Sequence, residues 1–192
     1  RDTASLTTRP GGSFHSAYAM DDGSQAAVLV FWYANPHGNR VRAIQFLIDH
    51  NPPWEGAIKD AFMLPSKAPE ALIRRFVTVW GARGLAMAPI EAPEVKRKLL
   101  LALDANRSAG VRLPKDLTAL RESFIEQVLS LPDLPDTPAF TPEDFDTLSR
   151  SGNSAEDIAH FEQTVGRRLR LEDGKELFVD ASLANMDGDD WG

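Results

Sequence analysis

Two consecutive runs of the chain are apolar on both of their alternating faces. The first covers residues 26–33, "AAVLVFWY", and the second covers residues 40–49, "RVRAIQFLID". A β-strand that buries both faces must be covered on both sides. These runs therefore predict strands inside a sheet that carries helices on each face.

The residues on either side of these runs have the patterns of one further strand and of two turns, which together predict a small sheet. Residues 13–20, "SFHSAYAM", have the pattern of a first strand, and Asp22-Gly23 supplies the positive φ of a tight hairpin. Asn-Pro-His-Gly-Asn, residues 35–39, has the composition of a second turn. We therefore predict an α+β fold built on a three-stranded antiparallel meander packed with helices.

Four helices are predicted to follow the meander. A short one covers Trp54 to Met63, after two prolines. The next two begin at Pro69 and Pro93 and end near Gly81 or Gly84 and near Gly110. Both of these helices are predicted from a proline in the first turn, a glycine after the last turn and apolar residues at helical spacing. The fourth covers residues 113–131, with its apolar residues again on one face.

A proline-rich segment separates this main region from the C-terminal part. Residues 132–140 hold three prolines and predict a linker. Thr141 and Pro142 then have the composition of a helix start, and Asp173-Gly174 predicts the turn of a final hairpin. The predicted organisation is a flexible N-terminus (1–12), an α+β main domain (13–131), a linker (132–140), a helical and hairpin subdomain (141–183) and a disordered acidic tail (184–192).

Composition narrows the classes of function. The chain of 192 residues has no cysteine, which excludes thiolate metal sites and a cysteine nucleophile and fits a cytoplasmic location. Residues 1–90 carry nine Lys and Arg against seven Asp and Glu, whereas residues 91–192 carry twelve against twenty-one. Such an acidic half argues against nucleic-acid binding. We expect a protein partner or a homo-oligomer, no membrane contact and no cofactor.

The candidate catalytic residues lie where the third predicted strand ends. Asp49, His50, Glu55, Lys59 and Asp60 fall within twelve residues. Binding sites are often built on loops at strand ends. Asp49 and His50 have the chemistry of an acid–base pair or of metal ligands, with Glu55 and Lys59 beside them on the predicted helix.

A structural interpretation of the same residues stays open. Adjacent residues of a strand point to opposite faces, so Asp49 and His50 share a site only where the strand has ended. Glu55 and Lys59 have the spacing of an ordinary helix ion pair. Asp49 and Asn51 before a proline are also typical of side chains that hydrogen-bond a local turn.

One segment resembles a group of uncharacterised bacterial proteins. Residues 46–49, Phe-Leu-Ile-Asp, match the end of a strand in that group, and Gly56, Lys59, Asp60 and Ala61 match the segment that follows its loop. Two residues, Ala57 and Ile58, separate the glycine from the lysine in this chain. The resemblance implies no activity.

Two hypotheses of function follow. In the first, the protein is a non-enzymatic binding or regulatory module that acts through protein contacts. In the second, it is a small hydrolase or a metal-dependent enzyme with a site at Asp49, His50 and Glu55. A concave pocket beside Trp54 with these side chains converging on it would favour the enzyme.

Overall fold

The computed structural model describes residues 12–35, 40–84, 86–164, 166–170 and 176–180. Within these ranges it forms an α+β fold. The elements in chain order are β1 (Phe14–Asp21), β2 (Gln25–Tyr33), β3 (Val41–Asp49), β4 (Ala57–Lys67), α1 (Pro69–Ala82), β5 (Ala88–Ile90), α2 (Ala92–Ala109), α3 (Lys115–Ala119), α4 (Arg121–Phe124), a π-helix (Ile125–Leu129), α5 (Pro142–Arg150), α6 (Ala155–Thr164), β6 (Gly166–Arg170) and β7 (Glu176–Asp180).

Five antiparallel strands form the main sheet, in the spatial order β4-β3-β2-β1-β5. The predicted meander of β1, β2 and β3 is confirmed. The predicted number of strands is wrong, because β4 extends the sheet beyond β3 and the short β5 extends it beyond β1.

The predicted helix at Trp54 to Met63 is also wrong. The chain turns through residues 51–56 and continues as strand β4. Glu55 has a φ of 49° and Gly56 a φ of 94°. Because a right-handed helix requires negative φ, residues 55 and 56 cannot belong to the predicted helix. Pairing with the free edge of β3 then decides the conformation, and Ile58 and Ala61 are fully buried against the sheet core.

Helices cover both faces of the sheet, as the doubly apolar strands predicted. On one face, Val28, Val30 and Phe46 share a buried cluster with α2 and with the segment from Leu113 to Leu148. On the other face, Leu29 and Phe31 pack with Leu72 of α1. The helical layer on the second face is less completely buried, since Val77 and Val79 of α1 are more than 40% exposed.

Each edge of the sheet has a local feature that limits further strand pairing. At β4, the backbone N–H of Ile58 donates to Asn106 Oδ1 (2.9 Å), and Asn106 Nδ2 donates to the carbonyl of Ile58 (3.2 Å). The N–H of Ala61 donates to Asp60 Oδ1 (2.8 Å). At the other edge, β5 has only three residues and one of them is Pro89. The side chains at β4 thus bind backbone groups that an exposed edge would offer to another chain, and Pro89 in β5 has no backbone N–H to offer.

The predicted helix over residues 113–131 is broken into α3, α4 and the π-helix. The break lies at Leu120, whose backbone (φ −97°, ψ 18°) leaves the α-helical region. The predicted inward face is nevertheless retained, since Leu117, Phe124 and Val128 are fully buried. The helical spacing of the apolar residues predicted which side chains are buried. It did not predict that the helix is interrupted at Leu120.

The proline-rich segment contains neither helix nor strand and is tied to α2 by two ion pairs. Lys96 Nζ lies 2.8 Å from Asp133 Oδ1, and Arg97 Nε lies 2.8 Å from Asp136 Oδ2. After it, Thr141 and Asp144 form the reciprocal capping box that starts α5. Phe145 of α5 belongs to the same buried cluster as Phe124. The predicted domain boundaries stay a prediction.

A separate two-stranded antiparallel sheet is formed by β6 and β7, as the hairpin pattern predicted. The predicted turn at Asp173-Gly174 lies outside the described residues. The same is true of residues 1–11, 36–39 and 181–192, which include nearly all of the predicted flexible N-terminus and all of the predicted tail.

Candidate functional site

Asp49 lies at the end of β3 and uses both of its carboxylate oxygens in local hydrogen bonds. Oδ1 accepts from the backbone N–H of Asn51 (2.9 Å) and from Asn51 Nδ2 (3.0 Å). Oδ2 accepts from Lys59 Nζ at 2.9 Å. The residue is only 3% exposed. The predicted bond between Asp49 and the local backbone is therefore present, and it holds the turn that leads into β4.

Two opposing effects set the acidity of Asp49. Burial raises the pKa of this carboxyl, and the hydrogen bonds from Lys59 and Asn51 lower it. The hydrogen bonds outweigh the burial, so the pKa of Asp49 lies below its usual value. The group is an ionised structural carboxylate at neutral pH, with no tendency to act as a general acid there.

His50 points away from Asp49 and contacts a different carboxylate. Its Nε2 lies 3.1 Å from Asp21 Oδ2, at the end of β1, and its backbone N–H donates to the carbonyl of Ser24 (2.9 Å). Asn51 Nδ2 also reaches Ser24, donating to its Oγ at 2.8 Å. The pair of His50 and Asp21 is exposed. It links the β3 end to the neighbouring β1–β2 turn.

Lys59 lies on strand β4 and not on the predicted helix, so the predicted helical spacing between Glu55 and Lys59 is absent. The Lys59 ammonium is held between Asp49 and the ring of Trp54, 4.3 Å from the ring centroid. The register between β3 and β4 shifts at Lys59, where Ile58 pairs with Ile48 and Asp60 pairs with Leu47. This bulge frees the Lys59 side chain to reach back over the turn.

The structure thus brings Asp49 and Lys59 together but keeps His50 apart from them. Asp49 and His50 do not form an acid–base pair, because each has a separate carboxylate or ammonium partner. Among the described residues, no group of three or more His, Asp and Glu side chains has the arrangement of a metal site. We call residues 49–59 the strand-end turn.

A large cleft lies next to this turn, on the outer side of β4. Its volume is about 710 Å³, within the range of ligand sites in proteins. Three parts of the chain line it: β4, the segment from Arg112 to Ala119, and the region from the end of α5 to the start of α6. The lining residues are Lys59, Asp60, Arg112, Leu113, Pro114, Lys115, Asp116, Thr118, Ala119, Ser149, Ser154 and Glu156.

Backbone hydrogen bonds fix one wall of this cleft. The N–H of Arg112 donates to the carbonyl of Asn153 (2.8 Å), and the N–H of Leu113 donates to the carbonyl of Leu148 (3.0 Å). Gly152 makes the close approach possible, since it has a φ of 89° and a Cβ there would lie 2.6 Å from the carbonyl oxygen of Gly110. The α2 end and the α5–α6 connection are therefore held as one rigid wall.

Most charged groups of the cleft have no ionic partner among the described residues. Arg112 Nη2 donates to the carbonyl of Gly152 (3.0 Å), whereas its Nε is buried with no acceptor. Neither Arg112 nor Lys115 forms an ion pair within the described ranges. The same holds for Asp60, Asp116 and Glu156. Lys59, which is paired with Asp49, is the exception.

The sequence therefore pointed to the border of the cleft but not to the cleft itself. Lys59 and Asp60 were singled out and do line it, while Asp49, His50 and Glu55 belong to the strand-end turn. Arg112, Lys115 and Glu156 were missed. They are separated by more than forty residues from β4 in the chain, and no local spacing marks residues that meet only through tertiary contacts.

Comparisons with known proteins found no matching family model, no matching curated protein and no matching solved structure. In the part of the chain that the structure describes, no helix has the length and apolar character needed to cross a membrane.

Proposed function

We propose that this protein is a non-enzymatic binding module that acts through protein contacts, and that the cleft beside β4 is the surface it uses. The observation that carries the proposal is the contrast in charge pairing. The polar groups of the strand-end turn are engaged in holding that turn, whereas five charged side chains of the cleft have no ionic partner in the described ranges.

The enzyme alternative has less support. An acid–base mechanism at the strand end needs Asp49 or His50 to face a common substrate position. Asp49 is nearly buried beneath Lys59, and His50 contacts Asp21 on the exposed side of the β1–β2 turn. These contacts account for both residues as parts of the turn.

The rigidity of the cleft also supports a binding role. One wall is β4, whose edge Asn106 holds at Ile58, and the opposite wall is fixed by the backbone bonds of Arg112 and Leu113. Asn106 also donates to the carbonyl of Val111 (3.3 Å), so one buried side chain joins the two walls. A preformed site loses little conformational entropy when a partner binds.

Site-specific photo-crosslinking in cells that express the protein tests the proposal. A photoreactive residue replaces Thr118, which is exposed and lines the cleft, and in a matched variant it replaces Thr78, which is exposed on α1. We expect a discrete protein adduct from Thr118 and none of the same mass from Thr78.

A second comparison makes the test specific to the cleft. Adding Arg112→Gln to the Thr118 variant should remove the adduct, because the guanidinium would no longer be available to the partner. The absence of any protein adduct at Thr118, or the same adducts from Thr118 and Thr78, would contradict the proposed function.

A further inference from the structure

We infer that the cleft recognises a peptide segment that carries both a carboxylate and an ammonium or guanidinium group. This inference rests on the proposed function and specifies the chemistry of the partner. It follows from the two signs of charge that line the cleft and from the lack of ion pairs at five of these charged groups within the described residues.

Two positive groups of the cleft lie shortly after α2, Arg112 in the connecting segment and Lys115 at the first residue of α3. Arg112 and Lys115 have no ion pair among the described residues, and Nη2 of Arg112 donates to a backbone carbonyl, that of Gly152. A guanidinium with open donor positions binds a planar carboxylate in preference to a neutral group. This segment is suited to the acidic side chain or the C-terminal carboxylate of a peptide.

The negative groups are distributed around the same space. Asp60 lies on β4, Asp116 on α3 and Glu156 in the first turn of α6. A ligand that is only anionic would bring its charge close to these three carboxylates. A phosphate group, with about two negative charges near neutral pH, would be the least favourable occupant. A ligand with both signs satisfies the cations and the carboxylates together.

Hydroxyl groups and a small apolar area complete the lining. Thr118, Ser149 and Ser154 offer hydroxyls, and Pro114 and Ala119 offer apolar contact. Ser149 Oγ already donates to the carbonyl of Phe145 (2.9 Å), and Ser154 Oγ already accepts from the N–H of Asp157 (3.1 Å). A peptide backbone, with alternating donors and acceptors, is suited to such a mixed surface.

Isothermal titration calorimetry with three synthetic peptides tests the inference. The probe is acetyl-Ala-Glu-Ala-Lys-Ala-amide, and its two comparison peptides carry Gln in place of either Glu or Lys. We expect the mixed-charge peptide to bind about tenfold more tightly than each comparison peptide, since one charged contact is removed in each. Its affinity should fall as the salt concentration rises.

Variants assign the effect to named residues. Arg112→Gln should lower affinity for the mixed-charge peptide about tenfold and leave affinity for the peptide without Glu unchanged. Lys115→Gln tests the same charge at an exposed position where no structural contact is lost. The matched control is Arg42→Gln, an exposed arginine of β3 that does not line the cleft.

The outcomes separate this inference from the proposed function. Equal affinity for the three peptides, or no measurable binding of any of them, would overturn the inference. If Thr118 still gives a discrete protein adduct in that case, the binding function stands with a partner of different chemistry. If that adduct is also absent, the proposed function fails as well.

Discussion

The strand-end turn and the cleft lie side by side and share Lys59, but they use charge in opposite ways. In the turn, Asp49 accepts three hydrogen bonds and pairs with Lys59, and His50 pairs with Asp21. In the cleft, Arg112 and Lys115 line the same space as three carboxylates and form no ion pair in the described part of the chain.

This difference separates two roles that look alike in a sequence. A cluster of polar residues at a strand end predicts either a reactive site or a turn held by its own side chains. Satisfied hydrogen bonds favour the interpretation as a turn, because a buried carboxylate without hydrogen-bond partners lowers the stability of the fold. Charged groups that line a cleft without an ionic partner are instead free to contact polar groups of a ligand, as the polar groups of binding sites do.

The largest loss of stability is expected when the side chain of Asn106, which joins β4 to the wall that holds Arg112, is removed. Asn106 is fully buried and bonds Ile58, next to Lys59, and Val111, next to Arg112. Asn106→Ala leaves three backbone groups without partners and should lower the free energy of unfolding by about 3 kcal/mol. Chemical denaturation measures this loss.

The exposed Asn153 provides the matched control for that variant. Asn153→Ala should change the free energy of unfolding by less than about 0.5 kcal/mol, because the bonds at Asn153 are made by its backbone. Equal losses in the two variants would mean that Asn106 does not couple the walls.

A charge removed from the turn should cost more stability than a charge removed from the cleft. Asp49→Asn leaves the Lys59 ammonium without its ionic partner and should lower the free energy of unfolding by about 1–2 kcal/mol. Asp116→Asn, in the cleft, should change it by less than about 0.5 kcal/mol. If Asp116→Asn is the more destabilising of the two in urea unfolding, the assigned roles are reversed.

The smallest of these effects is a dependence on pH. The pKa of Asp49 is lower in the folded state than its value of about 3.9 in an unfolded chain. The stability contributed by its ionisation is therefore fully present above that value and is lost as the pH falls through the folded-state pKa. The stability gap between the protein and Asp49→Asn should stay constant from pH 7 to about pH 5 and shrink below about pH 4. A gap that widens in acid would contradict this assignment.

The sequence predicted what depends on local periodicity and turn chemistry. These features predicted the doubly apolar β2 and β3, the helices α1 and α2 and the helix start at Thr141. The strand β4 was not, because Trp54 to Met63 carries apolar residues at a spacing that a short helix also uses. Its conformation is decided by the open edge of β3, which is a tertiary contact.

The candidate site follows the same division. Asp49 and Asn51 are close in sequence, so their contact could be anticipated as turn chemistry. The contact of Lys59 with Asp49 depends on β4, where the sequence predicted a helix. The cleft depends on the pairing of residues 110–113 with residues 148–153, which brings Arg112 and Glu156 to one space. No pattern within a single segment carries that information.

The most direct test of the two assigned roles measures stability and peptide affinity together in Asp49→Asn and Arg112→Gln. Denaturation gives the free energy of unfolding, and calorimetry gives the affinity for the mixed-charge peptide. We predict that Asp49→Asn loses stability but keeps its affinity within about twofold. Arg112→Gln, which gives up one exposed hydrogen bond to the Gly152 carbonyl, should lose less than about 1 kcal/mol of stability but about tenfold in affinity. Loss of binding in a stably folded Asp49→Asn, with Arg112→Gln unaffected, would place the functional site at the strand-end turn and contradict the account.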